Sequence, residues 1–228
     1  MLLGSVVPIA VLGAVCGLDM VGFPQVMIAR PLVSATMAGA LLGRPGAGLL
    51  MGVVLELIAL ETLPFGASKY AEWGSAGVVG GAIYAGQPVG TAGAFPVAVL
   101  GALLAAMFSS WSMVKARKQN GRYARCMRDS IAQGSASAIN AVQLRGLVTD
   151  LLRGGVVTLV SLLVFMPMAH WLVMHWKGDR VNSRAFVVAL AAMVAAGAVW
   201  KLFQTTVRGG WLFLVGLAIG GGVLYVVQ

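Results

Sequence analysis

Glu56 lies in "GLLMGVVLELIAL", between Val53, Val54, Leu55, Leu57 and Ile58, and Glu61 follows five residues later. An ionised carboxylate in such a run can bind sugar hydroxyls bidentately, hold a proton, or pair with a cation such as Arg30. Five residues on one straight helix turn the two side chains about 140° apart, so a shared acid pair or a metal site is not expected. A second group precedes them in "DMVGFPQVMIARP", where Asp19, Gln25 and Arg30 sit beside apolar stretches. For Asp19 and Gln25, structural hydrogen bonding and ligand contact are both open. Arg30 is expected to pair with a carboxylate or to reach toward lipid headgroups. His170 and His175 flank Trp171 and Trp176 in "MAHWLVMHWK", a composition that belongs to a membrane–water interface. No phosphate-binding loop, catalytic triad or zinc spacing occurs, so the sequence assigns no catalytic residue, no cofactor and no metal. Cys16 falls in an apolar run and Cys126 in a polar stretch expected as a loop, with no reason to pair.

The elements that must hold these side chains follow from the solvent. Of 228 residues, 59% are hydrophobic and 10% charged, and the mean hydropathy is +0.90. That composition makes the chain an all-α integral membrane protein and a polytopic helical bundle. Any carboxylate facing lipid there would cost several kcal/mol, so these residues face inward or pair. Apolar runs cover roughly 2 to 18, 31 to 60, 74 to 111, 154 to 176, 185 to 200 and 210 to 227. The second is cut by "GRPG", and the third at "GQPVG" and again at Pro96. Short Gly/Pro-broken pieces predict re-entrant hairpins or discontinuous helices, tolerated only where protein or a water-filled cavity covers the loose backbone groups. Between Asp19 and the Arg30–Pro31 step, Pro24 likewise argues against one uninterrupted helix and for a broken segment lining a polar cavity. The amino-terminal run lacks the basic start of a secretory signal and reads as a retained first helix.

The formal net charge of +9 does not point to nucleic acid, because of where the charge lies. Lys115, Arg117, Lys118, Arg122, Arg125 and Arg128 follow an apolar run with no acid among them. By the positive-inside rule this stretch is cytoplasmic, and the same cations offer a docking surface for a cytoplasmic partner. The sequence thus divides into one membrane domain over 1–228, with a basic cytoplasmic loop and interfacial segment at 112–150. Thirty-one glycines, many paired at four-residue spacing as in Gly13/Gly17, Gly48/Gly52 and Gly77/Gly81, predict helices in close contact. Packing alone explains them, and sliding surfaces of a moving transport domain are the other reading.

The stretch "RPLVSATMAGALLGRPGAGLLMGVVLELIALETLPFGA", with "LD" upstream and Gln25 between, resembles the IIC membrane subunit of the mannose-family sugar phosphotransferase system over residues 18 to 67. The resemblance implies an elevator-type transporter in the bacterial inner membrane. Its IIC subunit pairs with a IID membrane subunit, in a trimer of heterodimers, to move a hexose inward. Cytoplasmic IIA and IIB phosphocarriers supply the phosphoryl group. It places Asp19, Gln25, Glu56 and Glu72 in the sugar-site region and makes Arg30 and Pro31 fold-determining. The chain departs from that family at "SKYAEWG", where Lys69 intrudes and Ala71 stands in place of a proline before Glu72. The segment fits either a divergent specificity loop or a branch with another task. A phosphotransferase subunit, a transporter of the same fold uncoupled from phosphorylation, and a membrane scaffold or receptor are the three classes left open.

Overall fold

A computed structural model describes residues 3–20, 22–60, 71–203, 211–216 and 218–220. Among the described residues helices follow in the order α1 (Leu3–Asp19), α2 (Pro31–Leu41), α3 (Pro45–Ala59), α4 (Trp73–Gly86), α5 (Ala94–Cys126), α6 (Arg128–Ala132), α7 (Ala136–Met174) and α8 (Arg180–Phe203). Among the described residues α5, α7 and α8 are long and apolar enough to cross a membrane. Glu61 and Lys69 lie outside the described residues.

The "GRPG" break produces the hairpin that the sequence predicts. α2 ends when Gly43 takes φ +70, and the Gly43 and Arg44 amides return to the carbonyls of Ala40 and Gly39. These two bonds close the open carbonyls of a helix end, and only a residue without a Cβ adopts that φ cheaply. Pro45 then opens α3 at its first position, as Pro31 opens α2, where a missing N–H costs nothing. With 11 and 15 residues the two helices reach about 16 and 22 Å, short of the roughly 30 Å of hydrocarbon. They pack against each other and against α4, as a re-entrant pair must.

α4 lies at the centre. Every residue from Trp73 to Ala85 is buried, enclosed by α1, α2, α3, α5 and α7. Its glycines permit this: a Cβ on Gly81 would lie 2.5 Å from the Ala35 carbonyl oxygen of α2. α1 meets α7 in the same way at Gly17, where a Cβ would stand 2.7 Å from the Gly154 Cα. Backbone atoms cannot swing aside as side chains do, so Gly81→Val is expected to destabilise the protein by about 1–3 kcal/mol or more. Heating the detergent-solubilised variant and following its monodisperse fraction by size exclusion checks this; an unchanged melting temperature would refute the close approach. At the far end of α4, Arg44 from the hairpin tip donates to the Ala85 carbonyl at 2.7 Å and to that of Gln87. One guanidinium so satisfies carbonyls that the helix end leaves without donors.

Two stretches differ from the sequence reading. Pro96 does not interrupt its run, because it falls in the first turn of α5. The basic stretch, expected as a loop, stays helical: α5 continues to Cys126, and α7 begins at Ala136, where the Ser135 hydroxyl accepts the Ala138 amide at 3.4 Å. The polar ends of α5 and α7 support each other. Arg145 stacks over Tyr123 at 4.2 Å, and the Thr149 hydroxyl lies 3.5 Å from the Asn120 side chain. Lys, Arg, Gln and Ala are good helix formers, so polarity there marked solvent rather than a break.

Candidate functional site

Asp19 ends α1 almost fully buried, 2% exposed. One of its oxygens accepts the Val26 amide at 2.7 Å and the other the Ala29 amide at 3.0 Å. The two bonds fold the non-helical segment between α1 and α2 back over the end of α1. Gln25 stands exposed within that segment with φ +58, and Met27 has φ +67. An L side chain holds such angles only where the surroundings impose them. The carboxylate of Asp19 supplies that constraint directly after Gln25 and on both sides of Met27.

Arg30 follows directly and pairs with Glu56 of α3. The other Glu56 oxygen accepts the Leu32 amide at 3.1 Å. Leu32 lies in the first turn of α2, whose amides lack partners in the helix, so Glu56 caps α2 from the neighbouring helix and places negative charge at its positive end. Position 56 is therefore polar for a local reason as well: it closes the base of the hairpin. The Glu56 side chain remains 20% exposed and that of Arg30 39%. A carboxylate has about four acceptor positions, so these two contacts leave capacity for a hydroxyl ligand.

Glu72 is enclosed completely. It caps α4, accepting the Ser75 amide at 3.2 Å, and its second oxygen accepts the Ser109 hydroxyl of α5. Arg153 of α7 approaches the same oxygen at 3.9 Å, donates to the Ser109 hydroxyl at 3.0 Å, and faces Asp150 at 3.6 Å. Three helices thus meet on one buried carboxylate. Gly74, the second residue of α4, lies close to both this group and α1: a Cβ there would be 2.8 Å from the Glu72 Oε1 and 3.0 Å from the Cys16 carbonyl.

The four residues expected near a ligand therefore divide. Glu56 and Gln25 are reachable from outside; Asp19 and Glu72 are buried, the first holding the segment that carries Gln25 and the second the start of α4. Arg30 and Pro31 stand at the joint between the folded-back segment and α2. Arg153 and Ser109 were not singled out from sequence. A lone arginine entering the apolar run "RGGVVTLV" was the available signal for the first, and a serine in a membrane helix gives none. No group of three or more His, Cys, Asp or Glu residues close enough to hold a metal ion exists among the described residues. His175 approaches the Trp171 carbonyl at 2.8 Å on an exposed surface and has no place in this cluster.

Of the cations in the basic stretch, Arg117 interacts electrostatically with Asp150 at the edge of this cluster. Lys115, Lys118, Arg122 and Arg125 are exposed on α5, Arg128 is exposed at the start of α6, and Arg117 is half-buried.

A family model described as "PTS system sorbose-specific iic component" matches residues 3–181. Among solved structures, one titled "Structure of membrane protein" superposes with a TM-score of 0.73 at 17% identity, covering 100% of this chain and 95% of that one. At that identity the likeness carries the fold alone. No match is found among curated proteins.

Proposed function

Because the chain belongs to the family of sorbose-specific IIC components of the phosphotransferase system, a membrane permease family for sugars, we propose that it is the sugar-translocating subunit of a mannose-type complex. In this reading it moves a hexose across the bacterial inner membrane by an elevator-like displacement, with a IID subunit as membrane partner in a trimer of heterodimers. Phosphoryl transfer is left to IIA and IIB proteins. The observation that carries the site assignment is the half-open base of the α2–α3 hairpin. There Glu56 keeps acceptor capacity, Gln25 stands exposed, and Asp19 fixes the segment between them. A neutral polyol bound at Glu56 exchanges water hydrogen bonds for protein ones, and a carboxylate offers the stronger, charge-assisted kind. Glu72 contributes by holding the start of α4.

The chain carries no phosphate-binding loop, so by itself it gives flux no direction. Reconstituted with its membrane partner it is expected to exchange sugar only, and net accumulation should appear as sugar phosphate when phosphorylated IIB is supplied on the side of Lys115 to Arg128. Those cations attract an acidic partner face over a distance. Radiolabelled sugar uptake into proteoliposomes with and without phosphorylated IIB tests this. Concentrative uptake of unmodified sugar without IIB would overturn the phosphotransferase reading and favour the uncoupled transporter.

The orientation has its own test. Cys126 is exposed at the end of α5, whereas Cys16 is buried. A membrane-impermeant maleimide is expected to label Cys126 in inverted vesicles and not in intact cells. Labelling in intact cells of a variant lacking Cys16 would reverse the orientation.

A further inference from the structure

One exposed face of α5 carries Met107, Trp111, Lys115, Lys118, Arg122 and Arg125 in succession. Steps of four, four, three, four and three residues keep them within an arc of about 80° on a helix of 3.6 residues per turn. Met107 is 70% and Trp111 53% exposed, which places both side chains against hydrocarbon in the bilayer. Below Trp111 the same face turns entirely cationic within one turn. Because the helix is continuous from Ala94 to Cys126, the residues directly below a lipid-facing stripe meet the next layer of the same bilayer, the headgroups.

Depth then divides the cations. With Trp111 at the edge of the hydrocarbon, where tryptophan concentrates, Lys115 lies about 6 Å beyond it and Lys118 about 10 Å. Arg122 and Arg125 follow at about 16 and 21 Å. The polar layer of one leaflet is about 5–7 Å deep, and a lysine stem bends several ångströms toward it. Lys115 shows that bend: its Nζ lies 3.6 Å from the centroid of the Trp111 ring, which itself stacks on Phe108 at 6.0 Å. α5 contains no carboxylate, and among the described residues neither Lys115 nor Lys118 is ion-paired.

We propose that Trp111, Lys115 and Lys118 form a binding site for the phosphate of an anionic phospholipid. The indole fixes the depth and holds one ammonium by cation–π contact, and the two lysines neutralise the headgroup charge. Arg122 and Arg125 stand beyond the headgroups, free for a protein. The site requires that this face of α5 meets lipid rather than another subunit, and it stands whichever sugar, if any, is moved.

The test uses the full chain, reconstituted in mixed phosphatidylglycerol–phosphatidylcholine bilayers, extracted, and weighed by native mass spectrometry. The wild type is expected to retain phosphatidylglycerol in preference to phosphatidylcholine. Lys115→Gln with Lys118→Gln should lower that preference about tenfold, since each surface lysine adds a several-fold attraction. Arg122→Gln with Arg125→Gln should leave it unchanged. Glutamine keeps most of the stem at exposed positions, so all variants should elute as the wild type does. Equal retention by the lysine variant, or equal loss in the arginine variant, would overturn the proposal. So would displacement of the lipid by soluble glycerol phosphate, which would identify a free-phosphate site. A lysine variant that keeps its lipid but binds phosphorylated IIB more weakly would assign the pair to protein docking instead.

Discussion

Arg153→Met is expected to leave the protein unable to assemble, or to lower its stability by about 3–5 kcal/mol, the cost of stranding one member of a buried ion pair. Of the two carboxylates stranded, Asp150 keeps some contact with solvent, whereas Glu72 is fully buried and, among the described residues, its charge is then met only by the Ser109 hydroxyl and the Ser75 amide. Because α4, α5 and α7 converge on that carboxylate, the loss reaches the helix at the centre of the fold. Adding Glu72→Gln to Arg153→Met removes the orphaned charge while keeping the cap's shape, and should recover part of the stability. The double variant separates charge from packing, because a methionine that merely filled the space badly would gain nothing from the second change. Thermal unfolding of the single and double variants in detergent, followed by size exclusion, gives the comparison. An Arg153→Met protein as stable as wild type would show that the 3.9 Å approach to Glu72 contributes nothing.

Glu56→Gln is expected to do the opposite, sparing the fold and weakening the ligand. Its partner Arg30 is 39% exposed and Glu56 itself 20%, so solvent screens the pair and its loss costs at most about 1 kcal/mol. The side-chain amide oxygen that this substitution introduces can still accept the Leu32 N–H, which keeps α2 capped. A hydroxyl ligand loses a charge-assisted bond of roughly 1.5–3 kcal/mol, so sugar affinity should fall about tenfold or more. Exchange kinetics in proteoliposomes with the membrane partner measure it as a rise in the half-saturating sugar concentration. An unchanged value would make Glu56 a hairpin cap and nothing more. Failure to assemble would give the ion pair the larger structural role, and Arg30→Gln should then rescue the variant in part.

Much of the fold was legible because membrane physics writes it locally. A mean hydropathy of +0.90 leaves one solvent, and within it "GRPG" can only be a turn that neighbours cover. Glycines four apart announced the close approaches that Gly17 makes with Gly154 and Gly81 with Ala35, although they did not say which helix would be met. Glu56 was legible as a residue that must pair or bind, since an unpaired carboxylate is too costly in that run. Its pairing with Arg30 was one of three readings; the cap on Leu32, which hairpin geometry makes across 24 residues, was in none of them.

What the sequence determined by itself is whatever depends on a residue's solvent and its neighbours within about a turn: membrane embedding, the hairpin break, the small-residue faces, and the cationic run after Trp111. What only the tertiary structure decided is which charges meet. Ser109 and Arg153 reach Glu72 across 37 and 81 positions of chain, Arg44 reaches the end of α4 across 41 and 43, and no periodicity encodes such distances. The same limit hid the helical extension of α5 and α7. Each polar end alone reads as loop, and it is their mutual support, Tyr123 under Arg145 and Asn120 beside Thr149, that extends the helices. A buried charge specifies that it needs a partner; the packing of whole helices chooses the partner, because that choice minimises unpaired groups over the entire bundle rather than along any one segment.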